Sequence, residues 1–290
     1  MDTAASSAAA ASPPAIPTPL PLTAEARAEL AEAIRALENP SLAARLATLA
    51  GTPVEALKSR LPTFVQAGLE GAVRSAVHAA WRAAERSRPG STPGGVAPDW
   101  FHRGLAAVAG AAGGALGLPG TLVELPVSTT ILLRQIASEA RDAGEDPADP
   151  ETRAECLKVF ALGGDAAEAD DYARVGYFAS RLALTQILPN AAANLAAVAF
   201  PGLVGVVAAR FTGAVGLKLG AQAVPVIGAA AGAAINLAFL EHFRAIARAH
   251  FTVRRLERRF GPGPVREAYD AMRDARMAGA DRATGTAEAA

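Results

Sequence analysis

Three long stretches without a charged residue constrain this chain more than any other feature, and they cover 104–123, 182–209 and 219–240. Each is long enough for a membrane-spanning helix, which needs about 20 predominantly apolar residues. Alanine and glycine dominate them, however, and alanine adds little to membrane insertion while being the best helix former. The stretches therefore predict helices, either closely packed in a core or associated with a membrane. We favour the membrane, with a shallow helical hairpin over 182–240.

Helix boundaries recur along the whole chain. Asp149 followed by Pro150 is typical of an N-cap and first helical position, and Gly144 of the residue that ends a helix. No run alternates apolar and polar residues as a strand would. Pairs such as Gly228 and Gly232, one helical turn apart, let two helix backbones approach closely. The sequence predicts an all-α multi-helix bundle with glycine-rich close helix crossings.

Pro/Gly/Ser-rich segments divide the chain into five parts. We predict a disordered Ala/Pro-rich tail over 1–22, an N-terminal helical region over 23–88 and a linker over 89–98. The main helical domain covers 99–278, and residues 279–290 form a second disordered tail.

The charge balance and the motif search exclude several protein classes. Lys plus Arg and Asp plus Glu both total 28, whereas a nucleic-acid-binding protein usually carries a basic excess. The single Cys156 rules out an internal disulfide and is predicted to pack in the core. The sequence lacks the GxxxxGK[ST], GxGxxG, GxSxG and HExxH patterns of common nucleotide, hydrolase and zinc sites. We expect no cofactor, no metal and no nucleic-acid partner.

Two histidines on one predicted helix are the main candidates for chemistry. His242 and His250 are eight residues apart, and an acid such as Glu241 or Asp171 could join them. Four acidic residues over 165–171 could also act as acid–base groups. The alternative is that the histidines flank a core stripe and that the acids stabilise a helix N-terminus.

Arginines dominate the end of the same helix. Arg254, Arg255, Arg258 and Arg259 follow the apolar stretch 219–240, as in segments that bind an anionic cytoplasmic leaflet. In the alternative interpretation they pair with acids such as Glu241, Glu257 or Asp171.

The stretches "ELPVSTTILLRQIASEARDAGEDPADPETRAECLKVFALGG" (124–164) and "KLGAQAVPVIGAAAGAAINLAFLEHFRAIARAHFTVRRLERRFG" (218–261) resemble the EcsC family. This bacterial family takes its name from a protein encoded beside an Ecs-type ABC transporter, and the resemblance runs from about Asp99 to Tyr269. It implies no activity or cofactor. The positions that carry it are Pro126, Thr129, Thr130, Arg134, Pro225, Gly228, Gly232, Asn236, His242, His250, Phe251, Arg254 and Arg255. We expect Arg134 to meet an acid or a lipid headgroup, and Asn236 to hydrogen-bond across a helix crossing.

Three functions agree with these patterns. The first is a non-enzymatic accessory or scaffold at the cytoplasmic face of the membrane, with the membrane surface or a membrane protein as partner and a possible link to ABC-type transport. The second is a soluble all-α hydrolase-like enzyme that uses His242 and His250 with nearby carboxylates. The third is a soluble module that forms homo-oligomers.

Overall fold

The computed structural model describes residues 21–38, 41–50, 63–86, 99–164, 169–186, 199–222 and 229–288. Every regular element in these ranges is an α-helix, which confirms the predicted all-α bundle. The helices are α1 (Ala24–Leu37), α2 (Ser41–Ala50), α3 (Thr63–Arg86), α4 (Asp99–Asp142), α5 (Pro150–Gly164), α6 (Ala169–Gln186), α7 (Ala199–Gln222), α8 (Ala229–Phe260) and α9 (Pro262–Glu288).

Local capping signals place the turn between α4 and α5 as predicted. Gly144 has a positive φ of 81°, and the hydrogen bonds from Gly144 N to Arg141 O and from Glu145 N to Ala140 O form a Schellman motif. Asp149 caps α5 by accepting a hydrogen bond from Thr152 N at 3.0 Å. The turn holds Glu145 beside the start of α5.

Helix α5 lies at the centre of the fold. Its residues from Ala154 to Gly164 are all buried, so it presents no solvent face. Phe160 packs edge-on against Phe211 of α7, with ring centroids 4.9 Å apart, and also contacts Phe243 of α8. Phe239 completes this aromatic cluster. The core therefore joins α5, α7 and α8.

Helix α4 contacts α8 as two arms that run in opposite directions. In the first arm (99–109), Ala106 contacts Asn236 and Arg103 contacts Glu241, so this arm is antiparallel to α8. In the second arm (125–142), Ser128 lines a pocket with Asn236, and Glu139 contacts Arg244 and Arg248 further along α8, so this arm is parallel to α8. Ala106 and Ser128 line one pocket, although a straight helix would separate them by about 33 Å.

The chain must therefore double back between these two arms. Helical structure is nevertheless continuous from Asp99 to Asp142. The doubling back brings Ala106 beside Ser128 and both beside α8.

The helices before residue 89 share the core of the main domain. Leu30 and Ile34 of α1 and Val73 and Val77 of α3 are buried in the same hydrophobic cluster as Phe243. The proposed linker 89–98 and most of the first tail lie outside the described residues. At the other end, α9 continues to Glu288, beyond the predicted helix end at 278, because alanines and charged residues there favour a helix.

The described part of the proposed membrane hairpin over 182–240 lies largely in the core. Phe211, Val215 and Leu219 of α7 and Ile235 and Phe239 of α8 are buried against other helices. Among the described residues, no helix is both long enough and apolar enough to cross a membrane.

Candidate functional site

A buried hydrogen-bond chain joins α5, α6 and α8. His250 is fully buried, with its Nδ1 2.9 Å from the hydroxyl of Tyr177 and its Nε2 3.0 Å from Oε2 of Glu155. A carboxylate only accepts hydrogen bonds, so Nε2 carries the proton and Nδ1 accepts from Tyr177. We call Tyr177, His250 and Glu155 the buried triad. It has the connectivity of a nucleophile, a base and an orienting acid.

Two cations hold the carboxylate of the buried triad in its charged form. Oε1 of Glu155 lies 2.8 Å from Nζ of Lys158 and 3.2 Å from Nη1 of Arg254. Burial raises the pKa of Glu155, but the hydrogen bond from His250 and the charges of Lys158 and Arg254 outweigh it and hold that pKa well below its usual range. Glu155 is therefore ionised throughout the physiological pH range.

The buried triad is not arranged for nucleophilic catalysis. Tyr177 is fully buried, and burial raises the pKa of its hydroxyl. A nucleophile or base needs access to a substrate and a pKa shifted toward the operating pH, and Tyr177 has the opposite environment. The backbone places Tyr177 there through Gly176, whose φ of +71° bends α6. We therefore interpret the triad as an internal connection between three helices.

His242 lies outside the buried triad and makes a separate contact with the end of α5. Its Nε2 donates a hydrogen bond to the carbonyl oxygen of Gly163 at 3.0 Å, where α8 crosses the end of α5. Burial lowers the pKa of His242 to about 4, so the ring is neutral. The acid that contacts His250 is Glu155, whereas Glu241 pairs with Arg103 at 2.6 Å. Residues 165–168 and the side chain of Asp171 lie outside the described part.

This geometry predicts a stability that depends on pH. Unfolded histidine has a pKa near 6.5, and burial lowers the pKa of both His242 and His250. The unfolded chain therefore binds more protons as pH falls below about 6.5, so stability is complete above that pH and declines toward pH 4. We expect His242→Gln, whose amide can still donate to Gly163, to flatten the fall in Tm between pH 7 and 4. An unchanged slope would contradict this assignment.

The arginines at the end of α8 are mostly ion-paired. Arg254, with its side chain 13% exposed, contacts Glu145, Glu151 and Glu155. Arg258 also pairs with Glu145 and donates to the carbonyl oxygen of Ala143. These contacts favour the ion-pair interpretation for both arginines. The acids come from the α4–α5 turn and from α5, and not from the positions suggested in the sequence analysis.

The other two lipid-contact candidates differ from each other. Arg255 pairs with Glu29 of α1 at 2.9 Å. Arg259 is exposed, and its guanidinium lies 5.1 Å from the ring centroid of Phe260. Upstream on α8, Arg244 and Arg248 bind the two oxygens of Glu139. The positive charge over residues 244–258 of α8 is therefore largely neutralised by acids from other parts of the chain.

The family-motif residues of α4 have separate roles. Thr129 is buried and donates to the carbonyl oxygen of Leu125, while Thr130 donates to that of Pro126. Both bonds are local to the helix, which continues through Pro126. Arg134 is exposed, and no ion pair joins it to another residue in the described part of the chain.

Asn236 forms the helix-crossing hydrogen bond predicted for it. Its Nδ2 donates to the carbonyl oxygen of Ala106 at 2.5 Å and ties α8 to the first arm of α4. Gly232, one turn earlier, is buried, whereas Pro225 and Gly228 lie outside the described residues. Nearby, Nζ of the buried Lys218 donates to the hydroxyl of Ser128 at 3.4 Å.

Several important residues are absent from the sequence predictions. Glu155, Lys158, Tyr177 and Glu145 organise the buried contacts, yet none belongs to a recognisable motif. The available signal is the charged pair Glu155 and Lys158, three residues apart in the otherwise apolar segment 154–164. Cys156 is buried as predicted, and burial raises the pKa of its thiol. In the described ranges no three His, Cys, Asp or Glu side chains are grouped as metal ligands.

Comparison with protein families identifies the region that contains these contacts. The model of the EcsC protein family matches residues 99–256, which is more than half of the chain. The chain belongs to the EcsC protein family. Comparisons with curated proteins and with solved structures found no match.

The EcsC region includes α4 to α7 and most of α8. It contains the whole buried triad, both arms of α4 and the crossing of His242 over Gly163. It ends at residue 256, earlier than the resemblance to Tyr269 implies, and leaves Arg258, Arg259 and α9 outside.

Proposed function

We propose that this EcsC family protein is a non-enzymatic accessory or scaffold that binds the cytoplasmic face of a membrane. The contact is formed by the two arms of α4 where they approach the point at which the chain doubles back. The family takes its name from a protein encoded beside an ABC transporter, so an ABC-type transport system is the candidate membrane partner.

The observation that carries this proposal is a set of exposed apolar side chains on α4. Val108 on the first arm is 69% exposed, and Val127 at the start of the second arm is 54% exposed. Leu105, one turn before Val108, is 37% exposed. The arms lie side by side here, since Ala106 and Ser128 line one pocket. The connecting sequence 110–123 contains no charged residue.

Exposed apolar groups at a charge-free turn of the chain are what an interfacial contact requires. Apolar side chains in contact with one another on the surface mark protein or membrane interaction sites, whereas isolated ones need no explanation. Transfer of a valine or leucine from water is favourable by about 1.5–3 kcal/mol when burial is complete. Three such residues supply enough free energy for reversible binding and keep the rest of the fold outside the bilayer.

The contacts of the histidines support a non-enzymatic role. His242 and His250 both bond to buried protein groups, and neither has an exposed ring. The hydrolase-like alternative needs one of these rings to face a substrate. The buried contacts of both rings therefore favour the non-enzymatic role over the hydrolase-like one.

The test is vesicle binding by the full chain. We expect Val108→Gln with Val127→Gln to lower the affinity for lipid vesicles at least tenfold, because about 1.4 kcal/mol corresponds to tenfold and each valine contributes up to that amount. Glutamine keeps helix propensity high, so the fold is retained. Co-sedimentation of the purified protein with vesicles measures the change.

Met277→Gln provides the matched control. Met277 is 50% exposed on α9 and also loses an apolar side chain in this variant. Its vesicle affinity should equal that of the wild type. If the wild-type protein does not bind vesicles, the proposal is wrong. If it forms a homo-oligomer that the valine variant dissociates, with no vesicle binding by either, the exposed valines form a contact between copies.

A further inference from the structure

We infer that Arg134 binds the phosphate of an anionic lipid headgroup when Val127 enters the membrane surface. This inference rests on the proposed function and names the lipid chemistry that the α4 contact selects. Its basis is the arrangement of exposed residues along the second arm of α4.

Val127 and Arg134 lie on the same face of the second arm. They are seven residues apart, which is close to two helical turns, so their side chains project in directions about 20° apart and their positions differ by about 10 Å along the axis. Both are exposed, and Thr130 between them is half-buried. On this face the apolar Val127 lies nearer than the basic Arg134 to the point where the chain doubles back.

This order corresponds to the layers of a membrane. The hydrocarbon core is about 30 Å thick, and the headgroup regions bring the total to about 40–45 Å. With Val127 at the edge of the hydrocarbon, Arg134 lies within reach of the phosphates, because an arginine side chain extends several ångströms from the helix. Its planar guanidinium presents a fork of donors that matches phosphate oxygens.

Among the residues that the structure describes, Arg134 differs from neighbouring arginines in having no acidic partner. Arg244 and Arg248, on the adjacent helix α8, share Glu139, and Arg254 contacts three carboxylates. No ion pair involves Arg134 within the described ranges. Binding a phosphate through Arg134 therefore breaks no ion pair within the described part of the chain.

Arg141 is the second exposed arginine on this face but has a structural reason to be there. It lies in the last turn of α4, where a cation stabilises the negative end of the helix dipole. Arg134 lies two turns before the helix end, so this explanation does not apply to it.

The experiment compares two kinds of vesicle at low ionic strength. One contains only phosphatidylcholine, and the other contains equal parts of phosphatidylcholine and phosphatidylglycerol. We expect Arg134→Gln to lower affinity for the phosphatidylglycerol vesicles about fivefold and affinity for phosphatidylcholine by less, because both headgroups carry a phosphate but only phosphatidylglycerol has a net negative charge. Arg134→Lys should give an intermediate affinity, since it keeps the charge but loses the planar fork of donors.

Arg259→Gln is the matched control, because Arg259 is also exposed but lies at the end of α8 on the stacked ring of Phe260. Its affinity for both vesicles should equal that of the wild type. Equal losses in the Arg134 and Arg259 variants would overturn the inference and indicate attraction by overall charge. Wild-type affinity in Arg134→Gln, together with weak binding by the Val108/Val127 variant, would overturn the headgroup contact alone. Absence of binding by the wild type to either vesicle would overturn both proposals.

Discussion

Replacement of Glu155 by glutamine is expected to lower the free energy of unfolding by about 3–5 kcal/mol. The change removes the charge that compensates Lys158 and Arg254 while keeping nearly the same shape, and a buried cation left without its partner is strongly destabilising. Lys158 carries most of this penalty, because Arg254 retains Glu145 and Glu151. Urea denaturation followed by circular dichroism measures the difference.

Two further variants separate this effect from ordinary loss of an ion pair. Glu70→Gln breaks an exposed pair with Arg74 on α3 and should change stability by no more than about 0.5 kcal/mol. Adding Lys158→Met to Glu155→Gln should recover part of the loss, since the second change removes the uncompensated cation. Equal effects for Glu155→Gln and Glu70→Gln would show that Glu155 is not the buried anion of the network.

Gly163→Ala is expected to destabilise the protein by about 2 kcal/mol. A Cβ at this position would lie 2.5 Å from Cε1 of Phe243, well inside van der Waals contact. That ring is packed among Phe160, Phe211 and Phe239 and has no free space to move into. Overpacking of this kind typically costs 1–3 kcal/mol, and the better helix propensity of alanine offsets only part of it.

Gly104→Ala should have the opposite sign. Gly104 is an exposed helical residue, and a Cβ there would meet nothing within 4 Å, so the substitution should stabilise the helix by about 0.5–1 kcal/mol. Thermal unfolding of both variants gives the comparison. Phe243→Leu combined with Gly163→Ala should relieve the contact. If Gly163→Ala is as stable as Gly104→Ala, α5 and α8 do not cross closely at Gly163.

Local features of this fold are readable from the sequence because they depend on neighbouring residues. Gly144 ends α4 because its backbone needs a positive φ, and Asp149 caps α5 because its side chain reaches an amide three residues later. Asn236 was also anticipated, since a polar side chain beside a buried glycine has few partners other than a backbone carbonyl of the facing helix.

Contacts between distant segments could not be assigned in the same way. Periodicity indicates that His250 lies near a core stripe, but the identity of its acid depends on which helix packs there. Glu155 fills that position because α5 is surrounded on all sides, an outcome decided by the whole arrangement of helices. The same reason explains why Arg254 pairs with Glu145 and Glu151 and not with an acid of its own helix.

Glu38, just after α1, shows that the segment recognisable as EcsC is smaller than the unit that folds. Its Oε1 accepts hydrogen bonds from the backbone N–H of Tyr177, at 3.3 Å, and from the hydroxyl of Tyr269 in α9, at 2.6 Å. The first donor belongs to the buried triad, and the ring of Tyr269 lies 5.7 Å from that of Tyr177, yet Glu38 and Tyr269 fall outside residues 99–256. A fragment cut to the family limits would leave the amide of Tyr177 without this acceptor and expose the surface of α8 that α1 covers. The flanking helices are therefore structural parts of this protein and not appendages to a family domain.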